Sequence, residues 1–278
     1  MDTSRLLGEF LRARRQAITP EWANLPDVGF RRTPGLRREE VAVLAGISTD
    51  YYARLEQGRE RHPSEQLLRA LARVLNLGSD ATAYLYELAY PELRQNPGGD
   101  RLDRVSPHLL RLMESRPFPA VVCDRRQDVL AHNRLFTALY TSFQHIDNLL
   151  RLVFLDPSAR GFYRDWEEVA RARVASLRAA AGADLAAPHM VALVTELSRR
   201  SKEFAELWAC HEVIGETRAV RRVRHPELGN LTFAYEAFSP NASDGQHLIM
   251  LHPEPGSVTE RRLALLDPSG ARLGPAKP

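Results

Sequence analysis

The stretch LRREEVAVLAGISTDYYARLEQG, residues 36–58, constrains this chain more than any other. It contains two apolar-periodic runs joined across Gly46 and closed by Gly58, each too short to be a stable helix alone. Val41, Leu44 and Ala45 mark the inward side of a first helix over 36–46. Ser48 caps a second helix reaching Glu56, and Asp50 in its first turn complements the positive end of the helix dipole. Ala42 and Gly46 are small where two helices must approach closely, and Ile47, Tyr52 and Leu55 supply inward anchors. The adjacent tyrosines cannot share a face, because neighbouring helix positions are turned by about 100°. Tyr52 keeps register with Leu55 and turns inward. Tyr51 stays on the displayed side, with Ser48, Thr49, Asp50 and Arg54.

Two short helices around a glycine turn make a helix-turn-helix, whose second helix presents its first residues to base edges in the major groove. Thr, Asp and Tyr exchange hydrogen bonds with bases or phosphates, and Arg pairs bidentately with guanine. A plain helical bundle with a solvated polar face competes with this reading, and the flanking charge decides against it. Arg31, Arg32, Arg37 and Arg38 precede the motif, and Arg59, Arg61 and His62 follow it, where phosphates would lie. That argument rests on clustering, since residues 1–100 carry 14 basic and 14 acidic side chains.

The rest of the chain falls into place around the motif. Leu6, Leu7, Phe10 and Leu11 predict a helix over 2–17, and a loop rich in Pro and Gly follows it. Pro63-Ser64 starts a helix with apolar residues at 67, 68, 71, 72, 74 and 75, and a fifth helix runs from Asp80 to Ala89. Residues 95–107, QNPGGDRLDRVSP, read as a linker between a five-helix domain over 1–94 and a second domain over 108–278. At 278 residues, two domains are expected. The second alternates differently: PFPAVVCDRRQDVLAHNRLF reads as strand, turn, strand, then a helix near Asn133. Residues 164–181 form an amphipathic helix and 188–210 another helical stretch; LGNLTFAYEAFSP and GQHLIMLHPEPG finish the domain as two strands. The fold class is thus a mainly α N-terminal domain plus an α+β C-terminal domain.

VAVLAGISTDYYARLEQGR resembles the helix-turn-helix of the Xre/Cro/C1-type repressors, down to the ending at Leu55, Glu56 and Gly58. The longer string RTPGLRREEVAVLAGISTDYYARLEQGRERHPS resembles the MmyB-like bacterial transcription regulators, whose motif carries the same arginine-rich loop. NLLRLVFLDPSARGFYRDWEEVARARVASLRAAAG, WACHEVIGETR, RHPELGNLTFAYE and EPGS resemble that family's ligand-binding domain. The resemblance implies a five-helix DNA-binding domain joined to a PAS-like sensory domain. It puts the base-reading positions on Ser48, Thr49, Asp50, Tyr51 and Arg54. Arg31, Arg32, Arg37, Arg38, Arg59 and Arg61 are the candidate phosphate contacts.

For the pocket of such a sensor, the large apolar residues on the predicted elements are the candidates: Phe136, Leu139, Tyr140, Phe154, Trp166, Trp208, Phe233 and Tyr235. As a group they suit a small apolar ligand of fatty-acyl type, although each also suits a filled core. Catalysis finds no support. His211-Glu212 starts like HExxH, but Gly215 stands where the second histidine belongs, and there is no G-x-S-x-G, P-loop or G-x-G-x-x-G. His247 and His252 are five apart on a strand and so face opposite sides. Neither a catalytic residue, a metal nor a cofactor is expected. Cys123 and Cys210 have no paired spacing, no signal peptide opens the chain, and no apolar run could span a bilayer, so a cytoplasmic protein without a membrane partner is expected. The expected function is a ligand-responsive, sequence-specific regulator that binds double-stranded DNA at a palindromic operator as a homodimer. The alternative is an antitoxin-like or other DNA-binding regulator whose second domain mediates protein interaction or dimerisation without ligand.

Overall fold

The computed structural model describes residues 3–20, 35–60, 62–93, 105–215, 217–239 and 245–266. Five helices lead the chain: α1 (Thr3–Ala17), α2 (Arg38–Ala45), α3 (Thr49–Glu56), α4 (Glu65–Val74) and α5 (Ser79–Ala89). Helix α6 (Pro107–Glu114) precedes strands β1 (Ala120–Cys123) and β2 (Val129–His132). Helices α7 (Arg134–Leu139), α8 (Leu149–Phe154), α9 (Ala159–Phe162), α10 (Trp166–Ala181), α11 (Pro188–Arg200) and α12 (Lys202–Ala209) follow. Then come β3 (Arg218–His225), β4 (Gly229–Phe238), β5 (His247–Pro253) and α13 (Val258–Leu263). The predicted linker lies mostly outside the described residues, and its last residue, Pro107, opens α6.

These elements gather into two compact units that do not follow chain order. One comprises Met1–Pro97 with Val174–Gly215, the other Gly98–Arg173 with Glu216–Pro278, so the division falls inside α10.

In the first unit the apolar stripe of α1 is buried at Leu6, Leu7, Phe10 and Leu11, and Phe10 meets Tyr84 of α5 edge to face at 5.1 Å. Helices α1 and α3 approach backbone to backbone at Gly8, where a Cβ would stand 2.4 Å from the Glu56 carbonyl oxygen. The six apolar positions predicted for the fourth helix, at 67, 68, 71, 72, 74 and 75, are all buried. Two expectations about α2 need correcting. Leu44 does not face inward: it is 36% exposed and Val43 78%. Val41, Ala42 and the half-buried Ala45 fix the inward direction of this eight-residue helix, and position 44 lies about 110° away from it. Gly46 does not mediate close packing either, because nothing lies within 4 Å of its would-be Cβ. Its φ of 71° places it in the left-handed region, ending α2 with its N–H on the carbonyls of Ala42 and Val43.

Residues 188–210 form two helices and not one continuous stretch. Ser201 is extended, and its hydroxyl accepts from the Phe204 N–H to cap α12. The same unit buries Arg178 of α10. Its guanidinium lies 3.8 Å from the Trp208 ring centroid, donates to the Trp208 carbonyl at 2.7 Å, and sits beside the Tyr84 hydroxyl of α5. The Gly215 N–H donates to Asp80 at 2.9 Å.

The second unit is a five-stranded antiparallel sheet in the order β2-β1-β5-β4-β3. Its alternation separates two layers. Ala120, Val122 and Leu248 pack with Leu109 and Met113 of α6, while Val121, Ile249 and Leu251 point to the opposite face. Asn133 ties the layers together: its side-chain oxygen accepts from the N–H groups of Ala120 and Phe136, and its amide donates to the carbonyls of Met113 and Phe118. Both strands expected near the end of the chain are present. A third, β3, pairs with β4 over its whole length and escaped the sequence reading, because its inward position 221 is an arginine. Among the described residues, no helix is long and apolar enough to cross a membrane.

Candidate nucleic-acid interface and small-molecule pocket

Helix α3 is set from both ends. The Ser48 hydroxyl accepts from the Tyr51 N–H at 3.2 Å, and Gly58, with φ 68°, turns the chain back after Gln57. Tyr52 and Leu55 are fully buried, while Ile47, expected as an inward anchor, is only half-buried. That leaves Ser48, Asp50 and Arg54 exposed and Thr49 and Tyr51 half-buried on the outer side. Tyr51 and Arg54 meet across one turn, the guanidinium carbon 5.4 Å from the ring centroid, and Arg54 Nε donates to Glu60 at 2.6 Å. Burial and then the Glu60 carboxylate push the Tyr51 phenol above its ordinary pKa, so it is a neutral donor.

The inner side carries an ionic network. Arg15 of α1 donates through Nε to Glu56 Oε1 at 2.6 Å and through Nη1 to the Leu36 carbonyl at 2.8 Å. Arg38 of α2 donates to Glu56 Oε2 at 2.6 Å. Glu56 thereby fixes α1, α2 and the end of α3 against each other, which sets the angle of the outer face. Burial pushes the Glu56 carboxyl up, but the hydrogen bonds from Arg15 and Arg38 outweigh it and hold the pKa below the ordinary value. Of the candidate phosphate contacts, Arg37 and Arg59 are exposed, and Arg38 is half engaged with Glu56. Arg31, Arg32 and Arg61 lie outside the described residues.

In the second unit, the sheet face opposite α6 encloses a small pocket. Three of the predicted wall residues line it: Phe136, Tyr140 and Tyr235. The remaining lining is Pro119, Val121, Leu149, Leu152, Tyr163, Arg173, Arg221, Ile249 and Leu251. The other five predicted residues lie elsewhere. Leu139 and Phe233 are buried outside the lining, and Phe154 packs edge to face on Trp166 at 5.8 Å. Trp208 belongs to the first unit, stacked on Phe204. The cavity measures about 10 Å³, room for about one water.

Its walls are more polar than expected. The hydroxyls of Tyr140 and Tyr163 are 3.0 Å apart, and Arg173 Nη1 donates to the Tyr235 hydroxyl at 3.4 Å. The guanidinium carbons of Arg173 and Arg221 lie 5.3 and 4.7 Å from the Tyr235 ring centroid. Both arginines are buried. Neither is among the wall residues expected from the sequence, although a signal is present there. Arg173 stands on the apolar stripe of α10 with Val169, Ala170, Val174 and Leu177, and Arg221 alternates with Val223 and His225. Cys123 on β1 is inert by contrast, its thiol pushed up to about 12 by burial. Among the described residues no group of three or more His, Cys, Asp or Glu is placed to hold a metal ion.

Two family models match the chain. One, described as MmyB-like transcription regulator ligand binding domain, matches residues 105–266; the other, a helix-turn-helix domain, matches residues 6–85. No curated protein matches it.

Proposed function

We propose, for a chain that belongs to the family of MmyB-like transcription regulators, that it is a sequence-specific regulator of the Xre type which binds a palindromic operator as a cytoplasmic homodimer. The observation that carries this is the division of α3. Tyr52 and Leu55 are locked in the core, while Ser48, Thr49, Asp50, Tyr51 and Arg54 form one outward surface of hydrogen-bonding groups. A single such helix reads only a few base pairs, which is the reason for expecting two copies on half-sites about one helical turn, or a multiple of it, apart. Selection of bound fragments from random-sequence DNA tests the reading. A palindromic consensus is the expected result; fragments without a consensus, bound in proportion to salt alone, would remove sequence specificity.

The second domain is read as a PAS-like, non-catalytic sensor of a small, largely apolar ligand of fatty-acyl type. Support comes from the sheet order β2-β1-β5-β4-β3, with α7 to α12 inserted between β2 and β3, and from an aromatic pocket at its centre. The guanidiniums of Arg173 and Arg221 in the lining favour a ligand ending in an anion, which a planar guanidinium can pair with bidentately. A cavity of about 10 Å³ means that such a ligand must displace wall side chains to enter. That near-filled state is also the observation favouring the second reading, a domain that works through protein contacts without ligand. Thermal unfolding with a medium-chain alkanoate and with the matching alcohol separates the two. Sensing predicts that the acid raises Tm more than the alcohol, since a ligand at 100 times its Kd adds about 2.7 kcal/mol. No shift with either, up to their solubility, favours the second reading.

A further inference from the structure

We propose that Glu60, which lies beyond the end of α3, is a specificity-determining positioning residue: it holds Arg54 in the orientation that reads guanine. The inference rests on α3 being the base-reading helix. Six residues separate the two side chains, more than one helical turn, and the turn at Gly58 brings them together. Gly58 adopts φ 68°, and the Arg59 N–H donates back to the Arg54 carbonyl at 2.9 Å, so the chain doubles over the end of the helix. The Glu60 carboxylate then accepts from Arg54 Nε at 2.6 Å.

Which nitrogen is engaged decides what the contact does. A carboxylate competing with DNA would take the outer edge of the guanidinium, where both terminal nitrogens point the same way. Here the only hydrogen bond to the Arg54 guanidinium among the described residues is at Nε, so the Nη1–Nη2 edge stays available for guanine O6 and N7. The Tyr51 ring supports the guanidinium from the side, with its centroid 5.4 Å from Cζ. Two independent contacts thus hold one long side chain. Its rotamer freedom is lost on folding and not on binding, which raises affinity for the matched base alone. The negative charge of Glu60 adds a second effect of the same sign. Near the phosphates it weakens sequence-independent binding, so it widens the gap between operator and random DNA.

The test is binding of full-length Glu60→Ala and Glu60→Gln to the selected operator and to random DNA, each also made with Arg54→Ala. Glu60→Ala should bind the operator roughly tenfold more weakly, with unchanged or tighter binding to random DNA. Glu60→Gln, which keeps an acceptor for Nε, should recover most of the operator affinity. In the Arg54→Ala background, Glu60→Ala should no longer change operator binding. Tighter operator binding by Glu60→Ala would make Glu60 a competitor and overturn the proposal. So would an equal loss on both DNAs, or the same loss with and without Arg54. If Arg54→Ala retains full operator preference, the assignment of Arg54 as a base contact fails first. If Arg54 matters and both Glu60 variants are indifferent, only the positioning role fails.

Discussion

Replacing Glu56 by alanine removes the acceptor of two arginines at once, and the two losses are unequal. Arg15 keeps only 7% of its side chain exposed, and Glu56 none, so their pair is buried. Taking away one partner of a buried pair costs about 3–5 kcal/mol, because the other charge is left desolvated. Arg15 retains the Leu36 carbonyl, which argues for the lower end, about 3 kcal/mol. Arg38 is 42% exposed, and its part is that of a surface pair, about 0–1 kcal/mol. At roughly 2–4 °C per kcal/mol for a unit of this size, Tm should fall by about 10 °C. Thermal unfolding of the full chain gives the shift, and hydrogen exchange at the amides of α1 and α3 assigns it to this unit. Arg38→Ala is the control and should cost under about 1 kcal/mol. A Glu56→Ala variant within about 1 kcal/mol of the parent, or an Arg38→Ala variant equally damaged, would refute the reasoning. The pH dependence provides a second check. The folded carboxyl titrates below its ordinary value of 4.5, so its contribution is complete above that value and disappears as pH falls through the folded pKa. The stability gap between parent and variant should therefore narrow on acidification.

Gly8→Ala places a methyl 2.4 Å from the Glu56 carbonyl oxygen, and backbone cannot yield as a side chain can. It should destabilise by about 1–3 kcal/mol in urea unfolding and weaken operator binding by displacing α3; full stability would disprove the close approach. Arg37→Ala with Arg59→Ala should lower the slope of log K against log salt by about one for each phosphate deprived of its arginine, equally on operator and random DNA. An unchanged slope would take both off the phosphate backbone.

Helix α3 could be read in advance because its signals are local: Ser48, the Tyr52–Leu55 register and the glycine at 58 all lie within one short segment. The pairing of Arg15 with Glu56 could not, because 41 residues separate them and only the packed helices bring them together. Gly8 was invisible for the same reason, since a glycine inside a helical run reveals nothing of what presses on it. Leu44 shows a different failure. Apolar character does not establish inward direction in a helix too short for its period to decide. β3 and the pocket arginines failed through the converse assumption that arginine faces water, which Arg221 and Arg173 both violate. Half of the pocket wall is built from Pro119, Leu149, Leu152, Tyr163, Ile249 and Leu251, whose convergence is a property of the sheet packed with its helices and not of any one segment.

Helices α11 and α12 lie within the stretch matched as ligand-binding domain, yet they pack in the compact unit of the helix-turn-helix, with Arg178 and Trp208 beside Tyr84 and Gly215 bonded to Asp80. Recombination acts on contiguous stretches of gene, and this unit is not contiguous. A crossover near residue 100 would join one protein's α5 to another's α11–α12 hairpin, with the Arg178 guanidinium facing a side chain it did not evolve against. Exchange of the helix-turn-helix unit between such chains is thus expected to need paired exchange of both segments, and not a single swap of front halves.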